Sequence, residues 1–239
     1  MRYAYLIYSL YFLGILGLIL WRRHDLRAHA VPSMITGAIA GPVSELIYFR
    51  DYWRPQTIVG NSRLSPEDAL FGAAIFGLAA VLYSFVSRKA LTGNPGRSPM
   101  RSLMSVMPLG VLFAVLWAVG INSVFATIIA FAVGWIVLAV KMPHVRRPSM
   151  VTGGGFVVLA LFIYGVGLNL LVPHEAFKAG WLLYGTPLGA TVFGSIPVSE
   201  LLWFFTAGLF LQAHFLYAHQ KQYQPKGRMN ITKDLTADA

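Results

Sequence analysis

Seven stretches of this chain are apolar for long enough to cross the hydrocarbon core of a bilayer as a helix, and nothing else in it limits the fold so tightly. They are Tyr3–Trp21, Val31–Phe49, Ala69–Val86, Leu103–Val119, Val124–Val140, Val151–Val172 and Val198–Ala218. Lipid offers no water to backbone amides, so each run must satisfy its own hydrogen bonds as a helix. The second run is the least regular, carrying Pro32, Pro42, Ser44 and Glu45. The first lacks a basic leader and a small-residue cleavage site, so it reads as a retained helix and not as a signal peptide. The expected fold is all-α, a polytopic membrane protein with about seven transmembrane helices.

Composition excludes the main alternatives. Hydrophobic residues make up 56% and charged residues 12% of the 239, with a mean hydropathy of +0.62. A soluble enzyme carries about a quarter charged residues, and a disordered chain needs charge to stay solvated. The absence of cysteine removes disulfides, thiolate nucleophiles and thiolate metal ligands. A net charge of +10 would fit nucleic acid, but the basic residues cluster between the apolar runs. There they face anionic headgroups, so membrane lipid is the expected partner and nucleic acid is not.

Orientation follows from the basic residues. With the N-terminus outside, the inner side holds Arg22, Arg23, Arg27, Arg88, Lys89, Arg97, Arg101, Lys141, Arg146, Arg147, Lys221, Lys226, Arg228 and Lys233. The outer side holds Arg2, Arg50, Arg54, Arg63 and Lys178. That excess inside puts the C-terminus in the cytoplasm, with the polar stretch after His219 as a flexible tail.

The nine carboxylates are sorted unevenly. Asp25, Asp234 and Asp238 fall inside, whereas Glu45, Asp51, Glu67, Asp68, Glu175 and Glu200 fall at or near the outer ends of the second, third, sixth and seventh runs. Taken singly, Asp51, Glu67 and Glu175 read as solvated loop charges, and Asp68 as a helix cap. Glu45 and Glu200 lie within apolar sequence, where a carboxylate tends to face a protein interior and to have a function.

Pro42-Val-Ser-Glu-Leu-Ile-Tyr-Phe49 and Pro197-Val-Ser-Glu-Leu-Leu-Trp-Phe204 match at six of eight positions, yet their helices run in opposite directions. The counterpart of the seventh helix in direction is the third, which opens Leu64-Ser-Pro-Glu-Asp-Ala-Leu-Phe71 beside Ile196-Pro-Val-Ser-Glu-Leu-Leu-Trp203. Superposition sets Asp68 against Glu200 and Phe71 against Trp203. The expected organisation is two parallel three-helix units, 1–90 and 121–219, a loop and linker helix over 91–120, and a polar tail over 220–239. Parallel repeats commonly place a site at their interface.

The loops entering the third and seventh helices, Arg50–Gly60 and Lys178–Gly189, are both rich in Trp and Tyr. Interfacial anchoring explains such residues, and so does an aromatic lining that stabilises a cation. No Asp-rich magnesium motif occurs, and His174, His214 and His219 do not converge, so neither metal nor cofactor is expected. Gly153-Gly-Gly155 follows no strand, and is expected to permit close helix packing.

Asp51-Tyr-Trp-Arg-Pro, Pro66-Glu-Asp-Ala-Leu-Phe-Gly72 and Ile196-Pro-Val-Ser-Glu-Leu-Leu-Trp203 together resemble the lycopene cyclase domain family, the membrane carotenoid cyclases of the heterodimeric bacterial and fused fungal or archaeal type. The family pattern is a Pro-x-Glu or Pro-x-Glu-Glu stretch opening a helix rich in Leu and Phe. This chain departs from it, with Ser199-Glu200 in place of a double Glu and no proline two positions before Glu67.

The resemblance implies proton-initiated cyclisation of a linear polyene such as lycopene, without net redox change. It also implies a lipid-soluble polyene substrate, a bacterial plasma membrane, and a second membrane subunit in the heterodimeric type. A proton adds to a terminal double bond, a neighbouring double bond attacks the resulting cation, and a proton is lost. The donor must sit in a dry pocket, and Glu200 fits. Asp68, Glu67 or Glu45 can reclaim the proton. Trp203, Phe204, Phe71, Tyr48, Trp53 and Trp181 are candidates to line the site and face the cation. Hydration on the same scaffold, cation or proton transport, and a non-catalytic membrane subunit are the alternatives. Transport requires polar groups through the whole thickness, and the inner halves of the third and seventh helices carry few beyond Ser84, Gln212 and His214.

Overall fold

The computed structural model describes residues 3–60, 62–93, 99–168 and 178–224. It is mostly helical and contains seven helices long and apolar enough to cross a membrane. They are α1 (Ala4–Arg22), α2 (Arg27–Asp51), α3 (Pro66–Ser87), α4 (Pro99–Ala118), α5 (Ser123–Lys141), α6 (Arg146–Phe162) and α7 (Val198–Ala218).

Several boundaries differ from expectation for local reasons. The stretch with two internal prolines is one continuous helix, α2, running through Pro32 and Pro42. Hydroxyl side chains bond carbonyls on the turns around them: Thr36 Oγ1 donates to the Pro32 carbonyl (3.0 Å) and Ser44 Oγ to that of Gly41 (2.7 Å). The third helix starts earlier than the apolar run, because Ser65 and Asp68 form a capping box with Pro66 at the first position. The sixth passes into a π-helical turn over Ile163–Leu168, and the end expected for it at Val172 lies outside the described residues.

Two central helices organise the bundle. α3 packs on α1 and α2, α7 packs on α5 and α6, and α3 and α7 touch each other. α4 sits at the periphery against α5 and α7. Lipid tails are as apolar as leucine, so helices in a bilayer gain by close packing and not by hiding apolar surface from water. Small residues allow that approach. A Cβ on Gly72 would run into the Gly37 backbone, and one on Gly208 into the backbone of Gly153. Outside, α2 presents Ile35, Ile39, Val43 and Leu46, a row at helical spacing suited to lipid. Between the central helices Phe12, Phe156 and Phe204 are completely buried, with Phe12 and Phe204 stacked at 5.4 Å.

Short strands supplement the helices. Beyond α3, Arg88 adopts φ +54° and the chain enters β1 (Ala90–Gly93). A second pair, β2 (Thr191–Val192) and β3 (Ile196–Pro197), leads into α7. Beyond α7, Gln220 adopts φ +49° and the chain enters β4 (Lys221–Gln224), which pairs antiparallel with β1. The start of the expected flexible tail is therefore an ordered strand. Edge pairing holds it, as does Tyr223, whose ring packs on Tyr83 at 4.5 Å and whose hydroxyl accepts from Gln212 Nε2 (3.0 Å).

Candidate functional site

A cavity opens where α1, α2, α3 and α7 meet near one end of the bundle. Each helix directs side chains into it by the same rule, two residues three apart on one face. α1 supplies Tyr5 and Tyr8, α2 Glu45 and Tyr48, α3 Asp68 and Phe71, and α7 Glu200 and Trp203. On three of the four an acid is thus followed, nearly one turn on, by an aromatic ring. Gly41 keeps α2 near enough to α3 for the acids to share the space, since a Cβ there would strike the Asp68 carbonyl.

The rings touch one another. Phe71 and Trp203 stack at 6.0 Å and 27°, and Tyr8 stacks on Phe71 at 5.4 Å. Trp203 Nε1 donates to the Tyr48 hydroxyl (3.1 Å), which donates to Thr127 Oγ1 of α5 (2.8 Å).

The three carboxyl groups are held differently. Glu200 accepts from the Tyr52 hydroxyl and lies beside Tyr164, which is 3.1 Å from the hydroxyl of Tyr8. Burial holds the Tyr52 hydroxyl protonated well above the usual phenol range, so it remains a donor. Asp68 accepts through Oδ2 from the Ser65 amide (2.7 Å) and hydroxyl (2.9 Å), and its carboxyl lies beside the Tyr5 hydroxyl. Glu45 is 6% exposed and its Oε1 is buried and unpartnered. No Lys, Arg or His is among the described residues lining the cavity. Among the described residues no group of three or more His, Asp or Glu can hold a metal ion.

Seven of the residues singled out in the sequence line this cavity: Glu45, Asp68, Glu200, Tyr48, Phe71, Trp203 and Trp53. Three do not. Glu67 is fully buried but turns away, accepting from the Ile58 amide at 2.7 Å. Phe204, next to Trp203 and rotated off its face, packs into the central core. Trp181 is 2% exposed and packs with Tyr52 and Leu183 behind the cavity.

Glu67 is therefore not a solvated loop charge, and neither is Asp51. The Asp51 carboxylate accepts from the Ser123 amide (3.0 Å) and hydroxyl (2.5 Å), tying the end of α2 to the start of α5. His174 and Glu175 lie outside the described residues. Two of the three glycines expected to permit close packing do so, since a Cβ on Gly153 would meet the Phe205 carbonyl and one on Gly155 the Leu82 side chain, whereas one on Gly154 would meet nothing within 4 Å.

Four tyrosines lining the cavity, Tyr5, Tyr8, Tyr52 and Tyr164, did not stand out in the sequence. Tyr5 and Tyr8 could have been found from their spacing with Ser9 and Phe12, which places all four on one face of the first helix. Tyr52 and Tyr164 carry no comparable signal.

The two aromatic loops meet directly. Trp53 and Trp181 form an antiparallel bridge, with Arg54 N donating to the Gly180 carbonyl (2.7 Å) and Leu182 N to that of Tyr52 (3.0 Å). Comparison of the chain with protein-family models, curated proteins and solved structures finds no match.

Proposed function

We propose that the protein is an integral-membrane enzyme that cyclises a linear, lipid-soluble isoprenoid polyene by proton addition, without net redox change. One observation carries this: Glu45, Asp68 and Glu200 converge with the stacked Phe71–Trp203 pair in one cavity whose described lining has no cationic side chain. Cation chemistry on a hydrocarbon needs a proton donor, a proton acceptor and electron-rich faces, and this set supplies all three.

In this mechanism Glu200, oriented by Tyr52, gives its proton to a terminal carbon–carbon double bond. The neighbouring double bond attacks the tertiary cation to close a ring, with Trp203 and Phe71 facing the charge. Glu45, with a buried unpartnered oxygen, or Asp68 beside the Tyr5 hydroxyl takes the proton released as the new double bond forms. The product is an isomer of the substrate, so the atoms balance.

A parallel pair of three-helix units, α1–α3 and α5–α7, is part of the same proposal, and two equivalences support it. Arg27 Nε bonds the Leu20 carbonyl and Arg146 Nε that of Ala139, each seven residues back around a 3₁₀ turn. Left-handed residues Arg88 and Gln220 follow α3 and α7 at equivalent places, and each leads to one strand of the β1–β4 pair. A pseudo-two-fold axis along the membrane normal accounts for both. In this reading the bias of basic residues supports a cavity toward the outer leaflet with the C-terminus in the cytoplasm, and the family resemblance supports a bacterial plasma membrane.

Transport is a poorer fit. Phe12, Phe156 and Phe204 fill the centre below the cavity, where a permeating ion would need polar partners. The test is pigment chromatography after expression in a lycopene-accumulating cell. A cyclised product that disappears in Glu200→Gln at unchanged protein level is expected. Unaltered product in that variant would remove Glu200 as the donor, and a hydrated product would mean that water quenches the cation.

A further inference from the structure

Proton-initiated cyclisation leaves Glu200 as a carboxylate and the released proton on another acid. A second turnover therefore needs a proton back on Glu200, from that acid or from bulk water. Tyrosines of the cavity lie between the two. The Tyr164 hydroxyl adjoins the Glu200 carboxyl and stands 3.1 Å from the hydroxyl of Tyr8. At the other acid, the Tyr5 hydroxyl adjoins the Asp68 carboxyl. Tyr5 and Tyr8 share one face of α1, both line the cavity, and their ring centroids are 6.4 Å apart.

These three phenols are buried. Each can accept one hydrogen bond while donating another, which is what handing on a proton requires. Tyr164 is supplied by the π-helical turn that follows α6. Such turns are rare and occur mostly at functional sites.

We propose that Tyr5, Tyr8 and Tyr164 form a relay that returns the proton from Asp68 to Glu200 between turnovers, with one water molecule joining the Tyr5 and Tyr8 hydroxyls after the product leaves. This rests on the cyclase reading of the cavity. It also selects Asp68 over Glu45 as the group that takes the released proton, because the phenol of Tyr5 adjoins Asp68. The Asp68 proton moves to the Tyr5 oxygen and the Tyr5 proton to water. A water proton then moves to Tyr8, the Tyr8 proton to Tyr164, and the Tyr164 proton to Glu200. Every hydroxyl gains one proton and loses one, so only the two carboxyls change. A hydrocarbon in the cavity displaces that water, so the relay is broken while the cation exists and donor and acceptor stay apart.

Rapid-quench turnover of lycopene by the full chain in phospholipid nanodiscs tests this, with rings closed per protein counted over the first and later cycles. Tyr8→Phe keeps the ring that stacks on Phe71 and removes the hydroxyl. It is expected to close one ring per protein and then slow. The ratio of later to first turnover rates should fall at least about tenfold below the parent's, since a positioned proton carrier contributes about a hundredfold or more. Tyr5→Phe makes the same break at the Asp68 end, and decides the matter should Tyr8→Phe fail to fold. The double variant should be no slower than either single one, because both break one series. A ratio equal to the parent's in either folded variant overturns the relay and leaves the cyclase standing. Equal slowing of first and later turnovers does the same, marking a packing role. No product from the parent protein overturns cyclase and relay together.

Discussion

Trp53 and Trp181, 128 positions apart in the sequence, meet backbone to backbone in an isolated antiparallel bridge beside the cavity that Trp53 lines. The bridge fixes Tyr52, whose carbonyl accepts from Leu182 and whose hydroxyl reaches Glu200. Trp181 is nearly inaccessible behind it. Trp181→Ala should lower stability by about 3–5 kcal/mol, the usual cost of emptying a buried large aromatic site. Thermal unfolding in detergent, followed by size-exclusion chromatography, measures it. A midpoint unchanged from the parent would mean that the bridge carries no packing load.

Tyr52→Phe keeps the ring and removes only the hydroxyl that Glu200 accepts from. Product formation in a lycopene-accumulating host is expected to fall by about tenfold to a hundredfold, in line with about 1.5–3 kcal/mol for a hydrogen bond to the carboxylate that Glu200 becomes as its proton leaves. Melting should barely move, because the ring stays packed. Loss of folded protein instead of product would make Tyr52 a structural residue.

Gly72→Ala places a methyl against the Gly37 carbonyl, whereas Gly17→Ala meets no atom within 4 Å. The first should force α2 and α3 apart, costing at least about 1–3 kcal/mol of strain, and it should depress folded yield. The second should be neutral, or stabilising by a few tenths of a kcal/mol through helix propensity. The two variants share one chemical change, so a comparison of their melting midpoints isolates the close approach.

Thr152 Oγ1 donates to Gln212 Oε1 (3.0 Å), and Gln212 Nε2 donates to the Tyr223 hydroxyl (3.0 Å). Gln212 is fully buried. Tyr223→Phe leaves its amide donor unpaired and should cost about 1–3 kcal/mol. Amide exchange over Lys221–Gln224, read by mass spectrometry, should quicken as the β1–β4 pair loosens. Unchanged protection would place the strand's stability in its backbone pairing alone.

The bundle of apolar helices was legible because hydrophobic length is a local property, written in consecutive residues and enforced by the solvent. So was the unusual placement of Glu45 and Glu200, since each interrupts an apolar run that lipid would otherwise accept. The three-residue offset from each acid to its aromatic neighbour is likewise visible in the chain, as Glu45/Tyr48, Asp68/Phe71 and Glu200/Trp203.

Rotation about the helix axes and the approach of distant segments were decided only by packing. Phe204 and Trp203 are adjacent, yet one faces the core and the other the cavity, because consecutive helical residues point about 100° apart. Glu67 and Asp68 are divided in the same way by the α2–α3 contact through Gly41 and Gly72. Tyr52 and Tyr164 join Glu200, and Trp53 finds Trp181, only once the helices are assembled, and no short-range pattern encodes such meetings. Periodicity and solvent therefore settled which segments become helices. Which side chains share a cavity was settled by small residues that let particular backbones come close.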